Sequence, residues 1–373
     1  MSWQGFTIEP IDVWLFRDGR PFSAGSDVWA RSLPMPSPFT LLGALRTFFL
    51  LQEGHSPREF HEGKINDTLL HARWGQAGAH PGQLSLRGPF WQKDGELYFP
   101  VPADLARSEA GYHILAPLSK GVPSNMPSTL LPLWAQSNSP LQGQSGYLSQ
   151  SSLEAYLKGN VDTIQVKPLS AFIEKERRTG IKIAKGRTVE EGFFYQTEML
   201  RLKEGVSLYG EAILPDQTRP VEGILFLGGE RRMGYLRWAE GASPPQVSAY
   251  SLPVNASQIK VILLSPAYFS DGWHPKGGDW TKVSPELEGW QLVSAAVPRL
   301  ISIGVFAKRN GYPAQKRLLL VPAGAVYFFR SKGDDRNFPK IDSFTEEPPE
   351  EDPPLPLKSL GFGLPSITSW QYV

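Results

Sequence analysis

Residues 174–202 read EKERRTGIKIAKGRTVEEGFFYQTEMLRL, a basic stretch that leads directly into a strand-like run at 193–202. Before residue 188 the stretch has only two acids, and two glycines, Gly180 and Gly186, punctuate it. Its six basic residues are Lys175, Arg177, Arg178, Lys182, Lys185 and Arg187. We interpret it as a glycine-punctuated basic loop feeding a strand, which suits contact with a phosphate backbone. The alternative is a solvated, charged hairpin.

The chain as a whole is nearly neutral, so positive charge is concentrated in this stretch. Its 373 residues carry 38 Lys and Arg against 37 Asp and Glu, a net charge of +1. A protein that coats nucleic acid non-specifically would be strongly basic, so any nucleic acid is expected on one localised face. The chain has no cysteine, which excludes disulfides and thiolate metal sites.

Length and composition also limit the architecture. A prior of about 150 residues per domain predicts two or three domains. The 36 glycines and 34 prolines are dispersed, which predicts many short strands joined by loops and few long helices. The N-terminus, MSWQGFTIEPIDVW, has neither the basic nor the apolar region of a signal peptide, and no run approaches the ~18 apolar residues of a membrane helix. We therefore expect a cytoplasmic protein that does not associate with a membrane.

The first helix is predicted from its start signal. Ser37 is a good N-cap and Pro38 a good first helical residue. Apolar residues then recur at helical spacing and predict one buried face, whereas Arg46 lies on the other. A strand–loop–helix order places the helix N-terminus where an anion can bind. The alternative for Arg46 is that it pairs with a carboxylate.

A second cluster of glycine and arginine, LFLGGERRMGYLRW, lies at 225–238. Gly228, Gly229 and Gly234 bracket Arg231 and Arg232. Glycine lets the backbone approach a ligand closely, and arginine supplies forked donors. The alternative is a turn with solvated arginines.

Other segments predict organisation rather than chemistry. Residues 106–150 are rich in Pro, Ser, Gly and Gln and predict a long irregular excursion, while the composition shift at 239–257 predicts a domain boundary. The six acids at 342–352 predict a solvated loop. The sequence has no GxxxxGK[ST], GxSxG or HExxH motif and no strand-linked GxGxxG, and its six histidines lack metal-ligand spacing. We therefore predict no catalytic residues, metal or cofactor.

Six motifs occur in order along nearly the whole chain: IEPIDVWLFRDGRPF (8–22), LPMPSPFTLLGALRT (33–47), RTGIKIAKGRTVEEGFFYQTEMLRL (178–202), LGGERRMG (227–234), VPAGAVYFF (321–329) and GFGLPSITSW (361–370). Together they resemble the RAMP-superfamily subunit of type III-B CRISPR (Cmr) effector complexes that caps the 5′ end of the guide RNA. One departure is that the C-terminal glycine-rich loop lacks the Lys or Arg often found in the superfamily.

The resemblance implies an α+β fold of two ferredoxin-like (RRM-like) domains with long loop insertions. We expect an N-terminal domain at 1–245, with insertions at 58–82 and 106–190, and a C-terminal domain at 246–373. The implied role in antiviral defence is non-catalytic. The subunit would hold the repeat-derived 5′ tag of the guide (CRISPR) RNA, dock the large polymerase-like signature subunit and adjoin the first RAMP backbone subunit.

A single RNA strand needs cations for its phosphates, main-chain donors from glycine turns and platforms for its bases. We predict RNA-binding residues in the basic stretch, the first strand–helix junction and the second cluster: Arg17, Arg20, Ser37, Arg46, Lys175, Arg177, Arg178, Lys182, Lys185, Arg187, Gly228, Gly229, Arg231 and Arg232. Gly361–Gly363 are expected to line the remaining path, and Phe22 or Phe362 to stack on bases.

Two other functions compete with this prediction. A guide-processing endoribonuclease of the same superfamily would need a general base near the first helix, and His55 lies at its wrong end. A carbohydrate-binding protein is suggested by 11 tryptophans, although several of them lie in strand patterns.

Overall fold

The structure is a computed structural model that describes residues 2–17, 29–76, 78, 80–119, 130–183, 189–239, 257–309, 312–333, 339–348, 355–371 and 373. Its elements follow in the order β1 (Gln4–Pro10), β2 (Trp29–Ala30), α1 (Pro38–Gln52), α2 (Pro57–Glu62), α3 (Thr68–Trp74), β3 (Ser85–Lys93), β4 (Glu96–Pro100), β5 (Leu105–Ser108), β6 (Gly111–Ile114), β7 (Ala116–Pro117), β8 (Leu133–Trp134), β9 (Gln142–Gly143), β10 (Tyr147–Ser149), α4 (Gln150–Leu157), β11 (Val166–Lys167), β12 (Ile173–Ile183), β13 (Val189–Leu202), β14 (Val206–Ile213), β15 (Gly223–Phe226), β16 (Met233–Trp238), β17 (Gln258–Leu263), β18 (Trp290–Ala296), β19 (Ile301–Arg309), β20 (Tyr312–Leu320), β21 (Val326–Ser331) and β22 (Pro365–Ser369).

The fold is a mixture of α and β with mostly antiparallel sheets and few helices, as the dispersed glycines and prolines predict. It divides into two compact units, each of which draws on three parts of the chain. Unit 1 contains Met1–Gly95, Ser170–Pro244 and Ser302–Leu318. Unit 2 contains Glu96–Leu169, Pro245–Ile301 and Leu319–Val373. The domain bounds given above stay a prediction.

Unit 1 is built on five strands in the order β3-β14-β1-β16-β15. The strands β3, β14, β1, β16 and β15 pair antiparallel throughout. The first strand, β1, alternates buried Phe6 and Ile8 with the more exposed Thr7 and Glu9, so it presents one face to the core. Helix α1 supplies the apolar residues of this core, where the Phe49 ring lies 5.1 Å from Trp74 and 6.3 Å from Trp238.

The start of α1 agrees with its sequence signal. Ser37 is the N-cap, its Oγ accepts a hydrogen bond from the Thr40 N–H at 3.2 Å, and Pro38 is the first helical residue. Two short helices, α2 and α3, follow α1. Among the described residues, no helix is long and apolar enough to cross a membrane.

The described part of the basic stretch is strand rather than loop, so it forms the charged hairpin of the alternative interpretation. Residues 173–183 form β12, which pairs antiparallel with β13 over a long hairpin from Ile173↔Leu202 to Ile183↔Val189. Residues 174–178 are all charged, and Glu and Lys have low intrinsic strand propensity, so the pairing with β13 forms this strand despite its local sequence. Strand β2 pairs parallel with β13 at the opposite edge of this sheet.

Unit 2 has its core on the four strands β18-β21-β17-β22, all paired antiparallel. Aromatic rings fill it, including Phe269, Trp280, Tyr327 and Phe344. Residues 106–150, predicted to be irregular, contain six short strands or parts of strands, β5 to β10, in their described portion. The short lengths and the prolines explain why no strand pattern was visible in the sequence.

A charged triad is buried within unit 2. The Lys260 Nζ lies 2.8 Å from Oδ2 of Asp104 and donates a hydrogen bond to the Tyr156 hydroxyl at 2.7 Å. That hydroxyl donates to Oδ1 of Asp104 at 2.5 Å. The three residues are at most 4% exposed, so the two opposite charges and the hydroxyl are partnered with one another inside the protein. The triad joins α4 and the segment before β5 to strand β17.

Candidate nucleic-acid interface

Three segments of unit 1 that are distant in sequence meet at the base of the β12–β13 hairpin. The segment after β1 pairs with β13, since the Trp14 N–H donates to the Leu200 carbonyl at 2.9 Å and the Leu200 N–H donates back at 2.8 Å. The turn between β15 and β16 joins them, because the Gly229 N–H donates to the Leu15 carbonyl at 2.8 Å. The basic stretch and the second glycine–arginine cluster therefore lie on one site.

The conformation of the 227–232 turn explains its glycines. Gly228 has φ of +85°, and a Cβ there would come within 2.5 Å of the Leu15 carbonyl oxygen. Glu230 and Arg231 also have positive φ, 55° and 52°, so the turn is tight and its backbone is strained. Glycine here serves close packing on Leu15, and the Gly229 N–H is already used within the protein.

Two arginines of the hairpin, Arg178 and Arg201, and one of the turn, Arg232, converge on the carboxylate of Asp12 in the segment after β1. Nη2 of Arg201 lies 3.2 Å from Oδ1 of Asp12, while Nη2 of Arg178 and Nη1 of Arg232 lie 3.4 and 3.5 Å from Oδ2. Glu176 holds two of the arginines more closely. Its Oε1 accepts from Arg178 at 2.9 Å and its Oε2 from Arg201 at 2.7 Å.

These contacts shift the ionisation of the groups that make them. Burial opposes the charge on Asp12, but hydrogen bonds and charge from Arg178 and Arg201 outweigh it and hold the pKa of Asp12 below its ordinary value. Hydrogen bonds from the same arginines lower the pKa of Glu176. In return, Glu176 raises the pKa of both arginines. Glu230 adds a third carboxylate, 3.2 Å from Arg232. The network therefore contains three guanidinium groups and three carboxylates.

Acids from elsewhere in the hairpin also partner the basic stretch. Lys175 Nζ lies 2.9 Å from Oε1 of Glu198, and Arg177 is directly opposite Glu198 in the strand register. Arg177 and Arg231 are exposed. In the described part of the stretch, Lys175 is thus paired with Glu198, and Arg178 is paired with Glu176 and Asp12.

The predicted residues at the first strand–helix junction have mostly structural roles. Arg46 is only 9% exposed and donates to the carbonyls of Gln76 at 3.0 Å, Gly78 at 2.6 Å and His80 at 2.9 Å. Burial lowers the pKa of Arg46 to about 10. Its partners are carbonyls and not the carboxylate offered as the alternative. Ser37 caps α1, and Arg17 is exposed, with a backbone bridge to Ser32.

Several predicted residues lie outside the described part of the chain. They are Arg20, Phe22, Lys185 and Arg187, and the side chain of Lys182. Phe362 is fully buried, which corrects the expectation that it stacks on a base. Among the described residues, no group of three or more His, Asp or Glu side chains is placed to hold a metal ion.

A family model described as CRISPR-associated protein (Cas_Cmr3) matches residues 6–370. The chain belongs to this family. The family match confirms the resemblance drawn from the six motifs. No curated protein matches the chain.

Several solved structures are similar to this Cas_Cmr3 family member. A chain of the Type III-B Cmr-beta complex bound to cognate target RNA and AMPPnP is 16% identical, with 87% of this chain and 86% of that chain covered and a TM-score of 0.48. A chain of the same complex bound to cognate target RNA is 17% identical, with 87% and 86% covered and a TM-score of 0.46. A chain of the Csm3-Csm4 subcomplex of the type III-A CRISPR-Cas interference complex is 10% identical, with 99% of each chain covered and a TM-score of 0.40.

Two residues of the site in this Cas_Cmr3 chain were not found from the sequence. Arg201 lies in an apolar strand run, MLRL, and Asp12 in IEPIDVW, so neither belongs to a charged cluster along the chain. Asp12 is 166 residues from Arg178 and 189 residues from Arg201. The sequence signal for Arg201 was that it is the one charged residue among the apolar residues of MLRL (199–202).

Proposed function

We propose that this chain is the subunit of a type III-B CRISPR effector complex that holds the repeat-derived 5′ tag of the guide RNA. It contacts the large polymerase-like signature subunit and the adjacent backbone subunit, and it catalyses no reaction itself. The family match over residues 6–370 carries the proposal. Two ferredoxin-like domains with long insertions are part of it, and the mostly antiparallel architecture with few helices is compatible with them.

The proposed RNA-binding face is the base of the β12–β13 hairpin together with the 227–232 turn. Its support is the convergence of Arg178 and Arg232 from two separate sequence clusters, next to the exposed Arg177 and Arg231. Lys175, Arg17 and Gly228 stay in the proposed set of RNA-binding residues. Arg20, Lys185, Arg187 and the side chain of Lys182 also stay in it, but they lie outside the described residues. Ser37, Arg46 and Gly229 leave the set, because their polar groups bind within the protein.

The first test is to purify the tagged protein from its native cells, sequence the small RNA that co-purifies and identify the bound proteins by mass spectrometry. We expect guides that share one 5′ repeat-derived tag, together with a large polymerase-like subunit. Absence of both RNA and partners would contradict the proposal. Site-specific cleavage of a repeat RNA by the isolated protein would favour the endoribonuclease instead.

A charge-reversal pair then tests the proposed face. Arg177→Glu with Arg231→Glu is expected to lower guide retention in the assembled complex and to reduce the salt dependence by about 0.7 in log–log slope for each lost phosphate contact. The matched control is Lys276→Glu with Lys282→Glu, two exposed cations of unit 2 with the same total charge change. Equal guide retention in the two double variants would count against this location.

A further inference from the structure

The three arginines at Asp12 resemble an anion-binding site in which a carboxylate of the chain itself is the anion. They come from three elements, and each aims a terminal nitrogen at the same carboxylate. Charge-assisted N–H···O contacts are usually about 2.7–2.9 Å long. Glu176 meets this range, at 2.7 and 2.9 Å, whereas the three contacts to Asp12 are 3.2–3.5 Å.

The difference in contact length indicates different roles for the two carboxylates: Glu176 positions the arginines, and Asp12 occupies the anion site that they form. Glu176 bridges Arg178 and Arg201 across the β12–β13 pair and fixes the two guanidinium groups side by side. Asp12 is held loosely in the space that they and Arg232 face. Its side chain is 46% exposed and lies in a bend, while Val13 and Trp14 after it are buried. The carboxylate can therefore rotate into water without moving the core.

Charge decides which ligand fits. With Asp12 turned away, three guanidinium groups face two carboxylates, those of Glu176 and Glu230, which leaves one positive charge. A phosphodiester carries one negative charge and restores neutrality. A phosphate monoester or inorganic phosphate carries a second charge next to Glu176 and Glu230, which would be repelled. Planar guanidinium forks also match the paired free oxygens of a phosphodiester.

We propose that Arg178, Arg201 and Arg232 form a phosphodiester site for the RNA backbone, and that Asp12 occupies this site until RNA displaces it. The inference rests on the proposed function, and it adds Arg201 as a ligand and Asp12 as an internal competitor. Exposed ion pairs of this kind contribute little net stability, so exchange of the carboxylate for a phosphate is readily reversible. The site therefore sets the strength of RNA binding without needing a change of fold.

The test is Asp12→Asn, which keeps the shape of the side chain and removes its charge. We expect the full-length protein to bind a fluorescein-labelled single-stranded oligouridine about three- to ten-fold more tightly by anisotropy, the effect of removing one competing charge. Arg201→Gln is expected to weaken binding, and in the double variant Asp12→Asn should give no gain, because the site it frees is incomplete. Glu9→Gln is the matched control: Glu9 is an exposed carboxylate of the same unit, 3.9 Å from Arg237, and its loss changes the net charge equally.

The same variants are compared in the assembled complex, where the salt concentration that releases the guide RNA is measured. Retention of the guide to higher salt in Asp12→Asn, but not in Glu9→Gln, supports the internal competitor. Equal behaviour of the two variants would overturn it while leaving the proposed function standing. A complex that carries no guide RNA at all would instead refute the proposed function. Competition of the oligouridine by inorganic phosphate at equal concentration would contradict the choice of a diester.

Discussion

Replacing Lys260 with methionine removes the positive charge of the buried triad and leaves the Asp104 carboxylate without its ion-pair partner. Asp104 is fully buried, Lys260 is 4% exposed, and their atoms are 2.8 Å apart. Removing one partner of a buried pair typically costs about 3–5 kcal/mol, because the other charge stays desolvated. We therefore expect the opening equilibrium of unit 2 to rise by roughly two to three and a half powers of ten. Since domains are stable by only about 5–15 kcal/mol, this is a large fraction of the total.

The assay is native-state hydrogen exchange followed by mass spectrometry, because a chain of two compact units does not guarantee a single unfolding transition. Peptides from β17 and α4 report the local free energy of opening. Lys282→Met is the control, since Lys282 is exposed and lies 3.9 Å from Asp279, and we expect no measurable change. Adding Asp104→Leu to Lys260→Met should recover part of the loss, because an apolar pair no longer strands a charge. An opening energy for Lys260→Met within about 1 kcal/mol of the wild type would refute this reasoning.

Three further predictions concern buried or capping side chains. Burial raises the pKa of the Tyr156 and Tyr327 phenols well above their ordinary value. The folded state therefore keeps these protons when the unfolded state loses them, so their contribution to stability is fully present below about pH 10 and is lost as the pH rises beyond it. The urea midpoint of the wild type should fall between about pH 8 and pH 11, and the fall should be smaller in the double variant Tyr156→Phe with Tyr327→Phe. Arg46→Met should lower the free energy of unfolding by at least about 2 kcal/mol, since buried carbonyls lose a charged donor, but should leave guide retention per folded molecule unchanged. If Arg46→Met lowered guide retention without lowering the free energy of unfolding, Arg46 would have to be counted among the RNA-binding residues again. Ser37→Ala should cost about 1 kcal/mol in denaturant unfolding and Ser37→Gly only a few tenths, because glycine is tolerated as an N-cap; equal losses would argue against capping as its role.

Signals that act within a few residues were predictable from the sequence. Ser37 and Pro38 mark the start of α1 because a cap needs only its own turn. The family was also recognisable, since six motifs in a fixed order identify it without any knowledge of contacts.

The balance of charge was not predictable, because it depends on pairing across the chain. Counting residues near Arg178 shows an excess of cations, but Asp12 arrives from 166 residues away through the pairing of Trp14 with Leu200. The prediction that Arg46 binds RNA was wrong for a related reason. A helix wheel shows that it is off the apolar face, but only the path of the chain at 76–80 shows that three carbonyls surround it.

The strand order of unit 1 has a consequence for the newly made protein. Both neighbours of β1 in the sheet, β14 and β16, are synthesised roughly 200 residues after it, so at about 5–20 residues per second β1 waits for some 10–40 s without a partner. During that interval Phe6 and Ile8 are apolar side chains on an unprotected strand. Synthesis is thus a stage at which β1 can associate wrongly, until the later strands cover it.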